Sequence, residues 1–499
     1  MSPTNQQGLP FQNDKLSTGV VHIGLGNFAR AFIIEYFSEL AAKGHKDWGV
    51  IAIAPSDRQR HDIQKLTRQD NIYHLIKRNG IETCVPVGSL LSVLIGQYSP
   101  QAVIEHIASA DTKLVTMTVT QAGYGPLAGD AAKLTSTDIE DIQKEAESIR
   151  AGDLKNVRSV PGWIAAGLYK RFKDGCVPCT VVSCDNLPRN GALIEKVIRG
   201  YAEKIDPAFL NYIEEKAAFP NSVVDRVTPH QNYAASQKYL AENYHIDNDH
   251  CPVICEPYKK WVIEDKFTEA GRPPLDEVGV SFVDDIAAYE DRKLRLLNGS
   301  HLSIATISKV LQISNVLEAT NDLHVRTFWM NFLFQAAKPL APLPVKQFVE
   351  DTIERIGNPH MTDQIDRLLA ATRTKIGARL FNDPALVKGK DHDASAFAIA
   401  SWIRYLQGRD ESGNPFNLHD RDVGAIDSLG LTSSARITEN LPAFLEKKDV
   451  PADSPIMGTF VNTVVECLAN IRNDGMREAL ESRFGTDPKR AAAANSLTL

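Results

Sequence analysis

Val20-Val21-His22-Ile23-Gly24-Leu25-Gly26-Asn27-Phe28-Ala29-Arg30 decides the fold of this chain. A short apolar strand runs straight into G-x-G-x-x-A, and a helix is expected to follow through about residue 42. That is the strand–turn–helix setting of a dinucleotide fingerprint. Gly24 permits the tight turn, Gly26 lets the backbone approach a pyrophosphate, and the small Ala29 lets the helix pack on the strand. Asn27, Phe28 and Arg30 complete a turn whose helix N-terminus would face the phosphates. Glycine turns are common, so the flanking strand and helix give the motif its weight.

A second strand is expected at 48–54, ending near Ser56-Asp57-Arg58. An acidic residue there takes the ribose hydroxyls of NAD, whereas an arginine suits a 2′-phosphate. Asp57 is therefore the candidate, NAD is the expected cofactor, and NADP stays open. Further strands are expected at 114–120, 180–183 and 223–227, with helices at 137–149 and 163–172 between them. This alternation implies an expanded α/β Rossmann-type domain with a mainly parallel sheet over 1–284. From 285 to 499 the pattern is mainly α-helical, with helices expected at 285–310, 324–337, 345–356, 361–371, 394–406, 435–445 and 455–472. Dinucleotide sites lie at the carboxyl ends of parallel strands, so a cleft between the halves is the expected active site, with the helical half as substrate and catalytic domain.

With 499 residues, 43% of them apolar, the chain is long enough for two cores. Its formal net charge of -7 argues against nucleic acid or anionic membranes as partners. No apolar run approaches a membrane-spanning length, and the polar residues 1–17 resemble neither a signal nor a transit peptide, so a cytoplasmic location is expected. Seven scattered cysteines suit reduced thiols. Cys176 and Cys179, with Cys251 and Cys255, can also be read as a zinc site, but Cys179 and Cys184 flank a Val-rich run where cysteine acts as a small hydrophobe.

The chemistry concentrates in Tyr289-Glu290-Asp291-Arg292-Lys293-Leu294-Arg295-Leu296-Leu297-Asn298-Gly299-Ser300-His301. On a uniform α-helix, at about 100° per residue, Lys293, Glu290, His301 and Asn298 fall at roughly 0°, 60°, 80° and 140°. One broad face would then carry an amine, a carboxylate, an imidazole and an amide. The alternative is a solvated basic face with a stray histidine. Gly299 in mid-helix implies that something approaches the backbone there. A lysine in a dry cleft has its ammonium form disfavoured, which makes Lys293 the candidate base for a hydroxyl proton. Asn298 would donate to a developing alkoxide, and Glu290 could pass the lysine's proton to water.

Three further stretches accompany it: Cys184-Asp185-Asn186-Leu187-Pro188-Arg189-Asn190-Gly191, Val224-Asp225-Arg226-Val227-Thr228-Pro229, and Glu264-Asp265-Lys266-Phe267. Together with K-x4-N-x2-H over Lys293, Asn298 and His301, they make the chain resemble the polyol-specific long-chain dehydrogenases, the mannitol 2-dehydrogenase family. The resemblance implies metal-independent interconversion of an alditol with a ketose, D-mannitol with D-fructose being the expected pair, by a monomer. It also implies that Asn186 joins Asn298 at the alkoxide, that His301 orients a substrate hydroxyl, and that Asp225 and Arg367 hold sugar hydroxyls. The bland alternatives are a salt-bridged strand end for Asp225, a turn cap for Asn186 and a surface residue for Arg367. Where the family has glutamate in T-E-x-G-Y, this chain has Thr120-Gln121-Ala122-Gly123-Tyr124. Gln121 can hydrogen-bond but carries no charge. Other alditols (arabinitol, sorbitol) remain open as substrates. So does a fructuronate-type reductase, which would need an additional cation for the substrate carboxylate. A non-catalytic dinucleotide sensor is the rival outside enzymes, though it has no need of the lysine, asparagine and histidine set.

Overall fold

Apolar strands ending in glycine turns build the first of two compact units, Met1–Ala287 and Ala288–Leu499. The computed structural model describes residues 8–129, 134–229, 231–340, 345–360, 363–370, 372, 376, 379–380, 392–418, 436, 440–442 and 455–487. Among these, the strands of the first unit are β1 (Thr18–Ile23), β2 (Gly49–Ala54), β3 (Tyr73–Asn79), β4 (Ile81–Val87), β5 (Leu90–Ile95), β6 (Leu114–Met117), β7 (Thr180–Ser183), β8 (Ser222–Asp225), β9 (Val253–Cys255), β10 (Lys260–Glu264) and β11 (Ser281–Val283). One sheet has the order β5-β2-β1-β6-β7 and is parallel throughout. Its helices are α1 (Asn27–Ala31), α2 (Ile33–Ala42), α3 (Arg60–Arg68), α4 (Pro100–Ala108), α5 (Ser136–Ala151), α6 (Val160–Lys173), α7 (Asn190–Ile205), α8 (Pro207–Lys216) and α9 (Tyr233–Tyr244).

Side chains alternate across the central strand. Val21 and Ile23 join a core with α4, α6 and α7, while Val20 joins one with α2. Every residue of β2, β6 and β7 is buried, as a parallel sheet covered on both faces requires. The expected Rossmann-type α/β fold is present. It departs from expectation in detail. Phe32 (φ -131°, ψ -74°) breaks the first helix into α1 and α2. The third expected strand stops at Met117, and Gln121–Tyr124 turns as a 3₁₀ helix.

Two small sheets were not expected, β4-β3-β9 and β11-β10-β8. The first is hard to see in sequence because β3 carries Lys77 and Arg78 in its second half. Both charges are matched by partners elsewhere: Lys77 meets Glu35 of α2 at 2.5 Å, and Arg78 meets Glu82 of β4 at 2.6 Å.

The described part of the second unit is helical: α10 (Ala287–Arg292), a π-helical segment Lys293–Gly299, α11 (Ser300–Val310), α12 (Val316–Asn321), α13 (Leu323–Ala337), α14 (Val345–Ile356), α15 (Ile365–Leu369), α16 (Asp393–Tyr405), α17 (Pro455–Asn473) and α18 (Met476–Phe484). Nearly every residue of α11 is buried, polar Ser303, Thr306 and Ser308 included, so it forms the middle of this core against α13, α15 and α16. The helix expected at 435–445 lies mostly outside the described residues, as do Met361, Thr362 and Ala371 of the one expected at 361–371.

Candidate active site

The glycine turn is built to keep one side closed and the other open. Gly24 has φ +109°, and a Cβ there would lie 2.0 Å from the Thr118 carbonyl oxygen, so only glycine fits. The turn is pinned to β6: Thr118 Oγ1 donates to the Gly24 carbonyl at 2.7 Å, and the buried His22 ring bridges Thr116 and Thr118 at 2.9 and 3.1 Å. Burial pushes the His22 imidazole down to about 4, so it is neutral at working pH. Gly26 is the opposite case: a Cβ there would meet nothing within 4 Å. That open space beside backbone N–H groups suits the close approach of a pyrophosphate.

The remaining cofactor candidates divide by role. Ala29 is buried, and the Phe28 ring stacks on Phe32 at 5.0 Å. The Arg30 guanidinium turns inward to the Cys251 carbonyl oxygen at 2.7 Å, and to Asn27 and Tyr233. Asp57 begins a turn directly after β2 and accepts a 2.6 Å bond from the Tyr98 hydroxyl. Beside it, Gln97, Tyr98, Ser99, Lys155 and Arg158 line a groove of about 450 Å³.

The stretches that carry Asn186 and Asp225 are joined through a staple. Asn190 Nδ2 donates to the carbonyls of Asp185 and Ser222, both at 2.9 Å, and its Oδ1 accepts from the Ser222 N–H at 3.0 Å. The amide-rich loop after β7 is thereby tied to β8, on which Asp225 is buried and Asn186 remains exposed in its loop. Arg226, next to Asp225, points elsewhere. It is buried against Glu35, the Ala31 carbonyl and, at 2.8 Å, the Glu256 carbonyl. The pair is therefore no simple salt-bridged strand end.

Sequence reasoning passed over Asp185, although it lies inside the quoted stretch at the end of a Val-rich strand. The Tyr124 hydroxyl donates to its Oδ2 at 2.8 Å and meets Ser183 Oγ at 2.5 Å. Tyr124 belongs to the Gln121 turn, so this bond connects two of the quoted motifs. Burial pushes the Asp185 carboxyl up from 3.8 to about 7, against the pull of Tyr124, Val119 and Ser183. Between those pH values the folded protein holds a proton that the unfolded chain has released, so this group's share of stability is lost as pH rises through the window. Asp185→Asn is expected to remove that downward slope when urea midpoints are compared from pH 4 to 8. A slope unchanged from wild type would reject the assignment.

In the second unit the decisive departure is the π-helical segment. A uniform α-helix sets Lys293 and Asn298 about 140° apart. The wider i→i+5 turn advances each residue by less than 100°, which narrows that separation and puts the two on one face. Lys293 is buried, with 7% of its surface exposed, while Asn298 and Glu290 are half-buried. A Cβ on Gly299 would sit 2.9 Å from the Arg379 carbonyl oxygen and 3.3 Å from the Phe332 ring, which is the close approach its sequence position implied.

His301 is oriented by this geometry. Its Nδ1 lies 3.0 Å from the Leu297 carbonyl oxygen, which can only accept, so Nδ1 carries the proton. Burial pushes the ring down to about 4, opposed by Asp363 and the Leu297 bond and assisted by Arg355 and Arg367. A neutral ring protonated at Nδ1 leaves Nε2 as an acceptor, so a hydroxyl meeting it must donate. Arg367 is itself gripped by Asp363, with its Nε at 2.6 Å from Oδ1, and its side chain is about half exposed. Among the described residues no three His, Cys, Asp or Glu side chains group as metal ligands.

Residues 18–277 match the mannitol dehydrogenase Rossmann domain, and 285–471 match the mannitol dehydrogenase C-terminal domain. The chain belongs to the mannitol dehydrogenase family. It is an oxidoreductase acting on the CH–OH group of a polyol. Mannitol 2-dehydrogenase of Emericella nidulans is 34% identical over 425 residues, 82% of each protein. Mannitol dehydrogenase 2 of Saccharomyces cerevisiae is 32% identical over 82% of each. Among solved structures, the Pseudomonas fluorescens mannitol 2-dehydrogenase ternary complex with NAD and D-mannitol superposes with a TM-score of 0.81 at 29% identity, covering 95% of this chain and 96% of that one. A D-sorbitol dehydrogenase in substrate-free form gives 0.82 at 28% identity over 96% and 98%. The two mannitol dehydrogenase matches span both units, and their ranges include the glycine turn and the lysine helix.

Proposed function

We propose that this protein is an NAD-dependent polyol dehydrogenase interconverting D-mannitol and D-fructose, with Lys293 as base in oxidation and acid in reduction. The observation that carries the reading is the π-helical segment, which puts Lys293 and Asn298 on one face and is followed at once by a neutral, oriented His301. The Pseudomonas fluorescens relative, a complex with NAD and D-mannitol, supports the cofactor and the substrate. Gly24, Gly26, Asn27, Phe28, Ala29 and Arg30 would form the phosphate turn, and Asp57 would take the adenosine ribose. NAD, when bound, supplies the hydride acceptor.

The chain's own groups handle everything else. Lys293 Nζ removes the substrate hydroxyl proton, and Glu290 relays it toward water. The carboxamide N–H groups of Asn298 and Asn186 stabilise the alkoxide as charge develops. His301 Nε2 accepts from an adjacent hydroxyl, and Asp225 and Arg367 bind others. No step calls for a metal, and the seven free thiols suit a reducing, cytoplasmic setting.

The test is a panel of D-mannitol, D-sorbitol, D-arabinitol, D-fructose and D-fructuronate, followed at the reduced-nicotinamide absorbance with NAD(H) and NADP(H). The highest kcat/KM is expected for mannitol and fructose with NAD(H); turnover of none of them would overturn the reading. A second reading, a hexuronate reductase, is favoured by Arg379. No described residue bonds to its guanidinium, and burial pushes it down to about 10. Its backbone carbonyl oxygen lies beside Gly299, and a hexuronate's carboxylate would need a cation of this kind. A higher kcat/KM for fructuronate would decide for that reading. Asp57→Ala is expected to raise KM for NAD more than for NADP, and an unchanged preference would remove Asp57 as the discriminator.

A further inference from the structure

Within the glycine turn, Asn27 is held in a way the motif does not predict. Its Oδ1 accepts from Arg30 Nη2 at 2.8 Å and from the Tyr233 hydroxyl at 2.8 Å. A guanidinium only donates, so the amide atom facing it must be the oxygen. The NH₂ group of Asn27 is consequently turned away from Arg30 and Tyr233. Arg30 is itself immobilised. It is 5% exposed, its Nη1 donates to the Cys251 carbonyl at 2.7 Å, its Nη2 also donates to Tyr233 Oη at 2.5 Å, and its own carbonyl accepts from the Tyr73 hydroxyl at 2.7 Å. The rings of Tyr73 and Tyr233 both lie within 5.5 Å of the guanidinium carbon. Behind it, the Cys251 N–H is fixed by Asp249 at 2.8 Å, and Asp249 also binds the His74 N–H at 2.6 Å and Gln69 at 2.9 Å.

We propose that Tyr233 and Arg30 are positioning residues for the cofactor: they lock the Asn27 carboxamide so that its NH₂ donates to the dinucleotide's bridging phosphates. The inference rests on the dinucleotide reading above. Arg30, singled out in the motif as a cofactor residue, then acts through Asn27 rather than by touching the phosphates. Without the lock, the amide can flip and present its oxygen to an anion, which is repulsive. With it, the donors facing Oδ1 polarise the amide and strengthen the N–H groups on the far side. Tyr233 begins α9, about two hundred residues along the chain from the turn, so no glycine motif would reveal it.

The experiment compares full-length wild type, Tyr233→Phe, Asn27→Ala and the double variant by calorimetric titration with ADP-ribose, and with adenosine, which lacks the phosphates. Asn27→Ala should weaken ADP-ribose by about tenfold and Tyr233→Phe by about threefold, in line with a charge-assisted and a neutral hydrogen bond. The double variant should match Asn27→Ala alone, and adenosine should bind all four proteins equally. Additive losses, an equal loss for adenosine, or no loss in Tyr233→Phe would each overturn the proposal while leaving the dinucleotide reading intact. If wild type bound no ADP-ribose, the dinucleotide reading itself would fall and the inference with it.

Discussion

Lys293→Ala is expected to lower kcat by about 10²–10⁴-fold, the usual contribution of a positioned acid–base group. Lys293 is buried at the start of the π-helical segment, and the glycine turn that would hold NAD belongs to a different compact unit. The dissociation constant for NAD should therefore change little. Alanine leaves space where the amine stood, so added methylamine should restore part of the lost rate, whereas Lys293→Met should resist rescue. Two results would defeat the assignment: a variant that keeps more than a tenth of wild-type kcat, or a loss of rate explained by weakened NAD binding.

Glu35→Ala should be the most damaging change for stability outside the catalytic helix. Glu35 is 1% exposed on α2 and is faced by Arg226, Lys77 at 2.5 Å and Lys259 at 3.4 Å. Burial alone would push its carboxyl up, but Arg226, Lys259 and Lys77 outweigh this and hold it below the usual range. Removing the carboxylate leaves buried cations without compensation, a change that costs roughly 3–5 kcal/mol. Chemical unfolding followed by the fluorescence of Trp48 and Trp261, both buried in the same core, would report it. A loss below about 1 kcal/mol would mean that water or relaxation satisfies those cations. Glu39, which binds Lys259 at 2.6 Å, is the nearest group able to compensate.

The parts of this molecule that were legible in sequence follow from short-range rules. A strand, G-x-G-x-x-A and a helix are contiguous, so the Rossmann-type unit could be read from about twenty residues. Lys293, Asn298 and His301 are likewise contiguous enough to be seen as a set. Their true geometry was not legible, because the residue types of this stretch do not signal i→i+5 over i→i+4 pairing. Arg226 illustrates the same limit: its sequence neighbour is Asp225, yet its partner Glu35 is 191 residues away. The strand β3 was passed over because Lys77 and Arg78 look solvated until Glu35 and Glu82 are seen opposite them. Tyr124 and Asp185 lay inside quoted motifs, but only their pairing, 61 residues apart, gives either a meaning.

The widened turn between Arg292 and Ser300 also has a bearing on how this catalytic helix tolerates length changes. Accommodating a surplus residue lets Lys293 and Asn298 share a face while Ser300–Val310 continues in ordinary α geometry. Deleting a single residue there would let the spiral relax to α form with the helices on either side nearly in their present phase, because the widened turn already absorbs the surplus residue. The same deletion within Ser300–Val310 meets no such slack and would turn everything upstream by about 100° relative to the rest of α11. The helix is therefore expected to tolerate a residue lost between Lys293 and Gly299 better than one lost from α11.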